Sequence, residues 1–110
     1  MSAQHTGLAA GRWSRLTFLE QMANIGSDVE RALSWRRKRQ PAIAQRAAER
    51  ALELIDLTLA DAGNPVRLRE LTRVREALVD DLFGENQYRS TDGAWSKYFL
   101  AFTYAARKDR

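Results

Sequence analysis

The chain has no cysteine and a single histidine among its 110 residues. The first absence excludes disulfides, thiolate metal sites and a thiol nucleophile, and makes the chain indifferent to redox compartment. The second argues against Ser-His-Asp chemistry, the Glu-x-x-His pairs of di-iron bundles and the axial ligand of a haem bundle, because His5 lies outside every apolar-patterned segment. A Gly-rich phosphate loop is also missing: GENQYRST lacks the lysine of GxxxxGK[ST] and follows a helical pattern, not a strand. No window approaches the ~18 apolar residues of a membrane span. The opening MSAQHTGLAA has neither the basic nor the apolar region of a signal peptide. A soluble, cytoplasmic location is expected, with no membrane contact. Strand signals, internal repeats and low-complexity tracts are absent too, and the two prolines and six glycines fall mostly at segment ends.

What is present is an ordinary globular balance, 45% hydrophobic and 29% charged, in a length suited to one domain with its own core. Residues 1–11 are expected to form a flexible tail, and residues 12–110 a single helical domain. Arginine outnumbers lysine 15 to 3, and the net charge is +4. Guanidinium groups bind carboxylate and phosphate through paired hydrogen bonds, but a codon bias towards Arg and Ala accounts for the excess equally well.

Four helices follow from period and punctuation. Thr17 and Glu20 match a capping box, and Phe18, Met22, Ile25, Val29 and Leu33 then repeat at helical spacing. Gly26 and a second box-like SDVE at 27–30 suggest a break. The apolar face stays in phase through Gly26, however, so one helix over about 15–37 is favoured, with Ala23 and Gly26 admitting a close neighbour. Pro41 opens a second helix to about residue 60, alanine-rich in its first half. Gly63, Asn64 and Pro65 end that helix and cap the third, which runs over 65–83 with Leu68, Leu71, Val74, Leu78 and Leu82 inward. Gly84 stops it. Ser90 or Thr91 caps a fourth, in which Trp95, Phe99, Phe102 and Ala106 form the seam. Short connections between amphipathic helices predict an all-α, antiparallel up-down-up-down four-helix bundle.

That topology sorts the charges. The WRRKR run at 35–39 shares an end with Asp80, Asp81, Glu85 and Asp92. The opposite end gathers Arg12, Arg15, Arg67, Arg69, Arg107 and Lys108, with fewer acids. Together with Arg36, Arg37, Lys38 and Arg39 these are the candidate contacts for RNA or DNA. Cations at helix C-termini also complement the macrodipole with no ligand at all. Carboxylates on the second and third helices stand three residues from arginines, the spacing of surface ion pairs, so no catalytic residue, cofactor or metal site is assigned. In FGENQYRSTD, Tyr88 and Arg89 have no capping duty. With Trp95, Tyr98 and Tyr104 of the aromatic last helix they are candidate interface residues, consistent with a homo-oligomer or a protein partner.

The segments EQMANIGSDVERAL, ERALELIDLTLAD, RELTRVREALVDDLFGEN and STDGAWSKYFLAFTYAAR resemble a family of small uncharacterised prokaryotic proteins, most distinctively from Gly84 onward. The resemblance covers about residues 13–107 and implies an all-helical fold; no activity is attached to it and no functional residue is carried over. In size and basicity the chain is also loosely similar to accessory bundles that assist reverse transcriptases or serve as small subunits of RNA-guided complexes.

Overall fold

A computed structural model describes residues 11–108, so most of the expected tail, His5, Asp109 and Arg110 lie outside the described residues. Within them every regular element is a helix and none is a strand. Five helices are present where four were expected: α1 (Gly11–Arg15), α2 (Phe18–Arg37), α3 (Pro41–Asp61), α4 (Pro65–Phe83) and α5 (Asp92–Lys108).

The extra helix follows from the capping box itself. Thr17 accepts the Glu20 N–H (3.1 Å) while Glu20 returns a carboxylate to the Thr17 N–H (2.9 Å). An N-cap must leave the helical region, and Thr17 does so at ψ 162°, so residues 15 and 16 cannot belong to the helix it caps. They turn away, and α1 folds back over the end of α3. Trp13 is buried there; its indole N–H donates to Thr58 Oγ1 (3.0 Å) and its carbonyl accepts from Gln21 (2.9 Å). Ser14 adds a hydrogen bond to Asp61. Gly11, expected in the tail, opens α1.

Helix α2 is the hub, packed closely on α3 and on α5. It passes unbroken through Gly26, as its apolar phase predicts. SDVE caps nothing; Ser27 donates to the Ala23 carbonyl and Asp28 pairs with Arg31. Gly26 is needed for a neighbour: a Cβ built on it would lie 2.6 Å from the Cβ of Phe99 in α5. Met22, Ile25, Val29, Leu33, Ile55, Leu71 and Leu78 close the interior with Trp95 and Phe99. A second, small cluster of Ala32, Ala47 and Ala48 lets α2 and the start of α3 lie close.

The α2–α3 connection ends α2 with two bonds, from the Gln40 N–H to the Trp35 carbonyl and from the Arg39 N–H to the Arg36 carbonyl. This is the Schellman pattern, and Arg39 fills its left-handed position at φ 59°, where glycine is usual. At the next boundary Asn64 accepts from the N–H groups of Val66 and Arg67 ahead of Pro65. Helix α4 departs from expectation in its first turn. Leu68 is 38% exposed, not inward, because residues 65–69 are all exposed and the packed face starts near Leu71.

Candidate functional site

Three surfaces hold the predicted residues. At one end Arg36 and Arg37 are tied into an ion-pair network. Arg36 donates to the Asp81 carboxylate (3.0 Å) and carbonyl (3.1 Å) and to Asp92 (3.0 Å), and Arg37 donates to Asp92 (2.7 Å). Asp81 is buried and also accepts the Trp95 indole N–H at 2.8 Å. Partial burial pushes the Asp92 carboxyl up, but the hydrogen bonds and charges of Arg37 and Arg36 outweigh it and hold the group below the usual carboxylate range. The topology predicted this gathering of opposite charges. Its consequence is that two of the four cations in the run already have partners. Lys38 lies 4.8 Å from the centre of the Trp35 ring.

The 84–91 connection at this end is built around Asp80. Its carbonyl accepts from the N–H groups of Gly84 (3.1 Å) and Asn86 (3.0 Å), and its carboxylate from those of Gln87 (2.8 Å) and Tyr88 (3.0 Å). Asn86 exchanges hydrogen bonds with the backbone of Ser90. Thr91, not Ser90, caps α5 by accepting from Ala94. The loop leaves Tyr88 66% exposed. Arg89 adopts φ 55° and does not pair with Asp80 or Asp81, whose oxygens serve the loop backbone, Arg36 and Trp95.

The opposite end carries Arg12 and Arg15 on α1, Arg67 and Arg69 at the start of α4, and Arg107 and Lys108 at the end of α5, all exposed. None of the six enters an ion pair among the described residues. Arg67 sits 4.3 Å from the centre of the Phe18 ring, a cation–π contact that fixes its position without neutralising it. Leu16 lies between two hollows, one lined by Arg67 and the other by Arg107. Of the nearby acids, Asp61 accepts from Ser14 and Glu70 from Tyr98.

Helix α5 divides the predicted interface residues. Trp95 is core, bonded to Asp81 and stacked at 6.2 Å on Phe99. Tyr98, expected to point away from the seam, turns towards α4 instead. It packs edge-on against Phe99 and Phe102, and its hydroxyl donates to Glu70 at 2.5 Å. Burial and the Glu70 carboxylate together push the phenol well above its ordinary range. Tyr104 faces outward, 67% exposed, and Leu100 one turn before it is 65% exposed. Leu100 escaped the sequence reading because it lies off the Trp95–Phe99–Phe102 seam. Its spacing of four from Tyr104, between Lys97 and Arg107, is the signal that marks it.

Leu100 stands between two open hollows. One, about 460 Å³, runs along Gly26, Ser27, Glu30, Ser96 and Phe99. The other, about 390 Å³, is lined by Lys97, Ala101, Tyr104 and Arg107. Glu30 in the first accepts a hydrogen bond from Ser96. Asp56 of α3 is held across helices, by two bonds from Arg75 of α4 (2.7 and 3.2 Å). Among the described residues no cluster of three metal-ligating side chains occurs, and no helix is long and apolar enough to cross a membrane. No family model matches the chain, and neither a curated protein nor a solved structure is significantly similar to it.

Proposed function

We propose that the protein is a non-catalytic interaction module, an accessory subunit whose long helices act as an antiparallel bundle presenting the outer face of α5 to another macromolecule. The observation that carries this reading is the pair Leu100 and Tyr104, each about two-thirds exposed, on a helix whose other aromatics are packed inside. Exposed apolar side chains occurring singly need no explanation, but neighbours one turn apart, flanked by hollows and rimmed by cations, have the composition of an interface core. A photo-reactive residue placed at position 100 tests the reading in the native cell, with position 72 on α4, exposed and distant in sequence, as control. A discrete adduct at 100 and none at 72 is expected. Equal labelling at both positions, or none at 100, defeats it. An adduct joining two copies of the chain would make the module self-associating.

A second reading is supported by the free cations of the opposite end. Arg12, Arg15, Arg69, Arg107 and Lys108 are exposed and form no ion pair among the described residues, a surface suited to RNA or DNA backbone. Titration against single- and double-stranded RNA and DNA at two salt concentrations tests it. Binding should weaken steeply with salt and lose slope when Arg12 and Arg15 become alanine. Absence of binding at low salt removes it.

A further inference from the structure

We propose that the outer face of α5 takes one particular kind of partner, an acidic amphipathic helix of another protein. This rests on the reading of that face as an interface and names its occupant. The exposed residues of α5 include Lys97, Leu100, Ala101, Tyr104, Arg107 and Lys108, and none of them is a carboxylate. The acid of this helix, Asp92, is turned to Arg36 and Arg37 at its first turn. The face is therefore apolar along its middle and positive at both ends, and Glu30 of α2, in the hollow on one side of Leu100, is bonded to Ser96. Ala101 contributes little bulk beside Leu100, and the hollows on either side of that leucine leave room for side chains of a second helix. Leu100 and Tyr104 have the four-residue spacing of anchors in helix-to-helix docking. At 17 residues the helix is about 25 Å long, enough to match three or four turns of a partner.

Charge decides the occupant. A second copy laid antiparallel, so that Leu100 of each meets Tyr104 of the other, brings Lys97 of one copy against Arg107 of the other. Laid parallel, each cation meets its own counterpart. Both arrangements oppose like charges across the contact. A partner carrying Glu or Asp on the flanks of an apolar stripe meets attraction at both ends of the same contact. A nucleic acid would use Lys97 and Arg107 but leaves Leu100 facing a polar, charged surface, and the unpaired arginines of α1 and α4 lie at an end of the molecule rather than along this face.

The test uses the full chain and two labelled synthetic peptides of ~16 residues with identical leucines at helical spacing, one flanked by Glu and one by Lys, read by fluorescence anisotropy. A single-stranded RNA oligonucleotide and light scattering of the protein alone form the further arms. The Glu peptide is expected to bind at least about tenfold more tightly than the Lys peptide. Leu100→Ser should weaken it by a similar factor, and Lys97→Glu should weaken the Glu peptide while improving the Lys peptide. Both variants should unfold at the wild-type denaturant concentration, since both side chains are exposed. Equal binding of the two peptides, binding of neither, RNA binding that depends on Leu100, or a Leu100-dependent dimer overturns the proposal. If the cross-link at position 100 persists while the Glu peptide fails, the interface reading stands and only its acidic occupant falls. If the cross-link is absent, the interface reading fails first.

Discussion

The inner and outer faces of α5 are made of similar residues and put to different uses. Inside, Trp95 donates to Asp81, Tyr98 donates to Glu70, Phe99 lies on Gly26, and Phe102 meets Phe18 edge-on with ring centres 6.0 Å apart. Each polar tip has a named acceptor and each ring a neighbour. Outside, Leu100 and Tyr104 are exposed; the charges on their own helix are the cations Lys97 and Arg107, and Glu30 of α2, bonded to Ser96, lines the hollow beside Leu100. Aromatic content alone therefore misjudges this helix. Its rings mostly hold the fold together, and the large apolar side chains it leaves exposed are Leu100 and Tyr104, off the seam.

Asp81→Ala should break the inner face most severely. It strands the indole N–H of Trp95 and one arm of Arg36, at a cost of about 3 kcal/mol, visible as a large fall in the urea midpoint. Gly26→Ala comes next. The added methyl meets Phe99 at 2.6 Å, and overpacking of about 2–3 kcal/mol outweighs the ~1 kcal/mol gained in helix propensity; an equal or higher thermal midpoint would refute the close approach. Tyr98→Phe should cost about 1–2 kcal/mol near neutral pH by leaving Glu70 without its donor. It should also change the alkaline limb. The folded phenol is raised above its unfolded value of about 10, so its contribution is complete below that pH and lost as pH rises beyond it. Wild type should therefore lose stability above about pH 10 more steeply than the variant, as measured by chemical unfolding across that range. Leu100→Ser is the smallest effect and the sharpest contrast. Stability should stay within about 0.5 kcal/mol of wild type, whereas cross-linking from the neighbouring exposed position 101 should disappear.

Local punctuation made much of this architecture legible. Asn64 with Pro65, Gly84 and the Thr17 box act within a few residues, and each boundary falls where those residues place it. Gly26 could be recognised as a contact point because the apolar phase on either side agrees. The split between α1 and α2 was missed although the pattern marks it: at 100° per residue Trp13 and Leu16 fall on the opposite side from Phe18, Met22, Ile25, Val29 and Leu33, and the helix expected over about 15–37 ran through that change of phase. Leu68 fits the pattern, but periodicity cannot show that the first turn of α4 has no neighbour. The candidate site was legible only in part. Helix order places the 35–39 run beside Asp80, Asp81, Glu85 and Asp92, but it does not say which of them pair, and only the structure gives Arg36 to Asp81 and Asp92 and Arg37 to Asp92. Likewise Tyr98 and Tyr104 are alike in sequence, and what separates them is Glu70, contributed by another helix.

Asp80 gives the 84–91 connection an unusual independence. Its carbonyl and carboxylate accept from four loop N–H groups, those of Gly84, Asn86, Gln87 and Tyr88, and Asn86 fastens the remainder to Ser90. All of these bonds lie between residues 80 and 90, so their closure entropy is small and they can form as soon as the last turns of α4 do. The loop then reverses the chain and delivers Asp92 and Trp95 back towards α4 before α2 need be in place. The connection can thus be set before α5 meets its main neighbour, which is α2 and not α4.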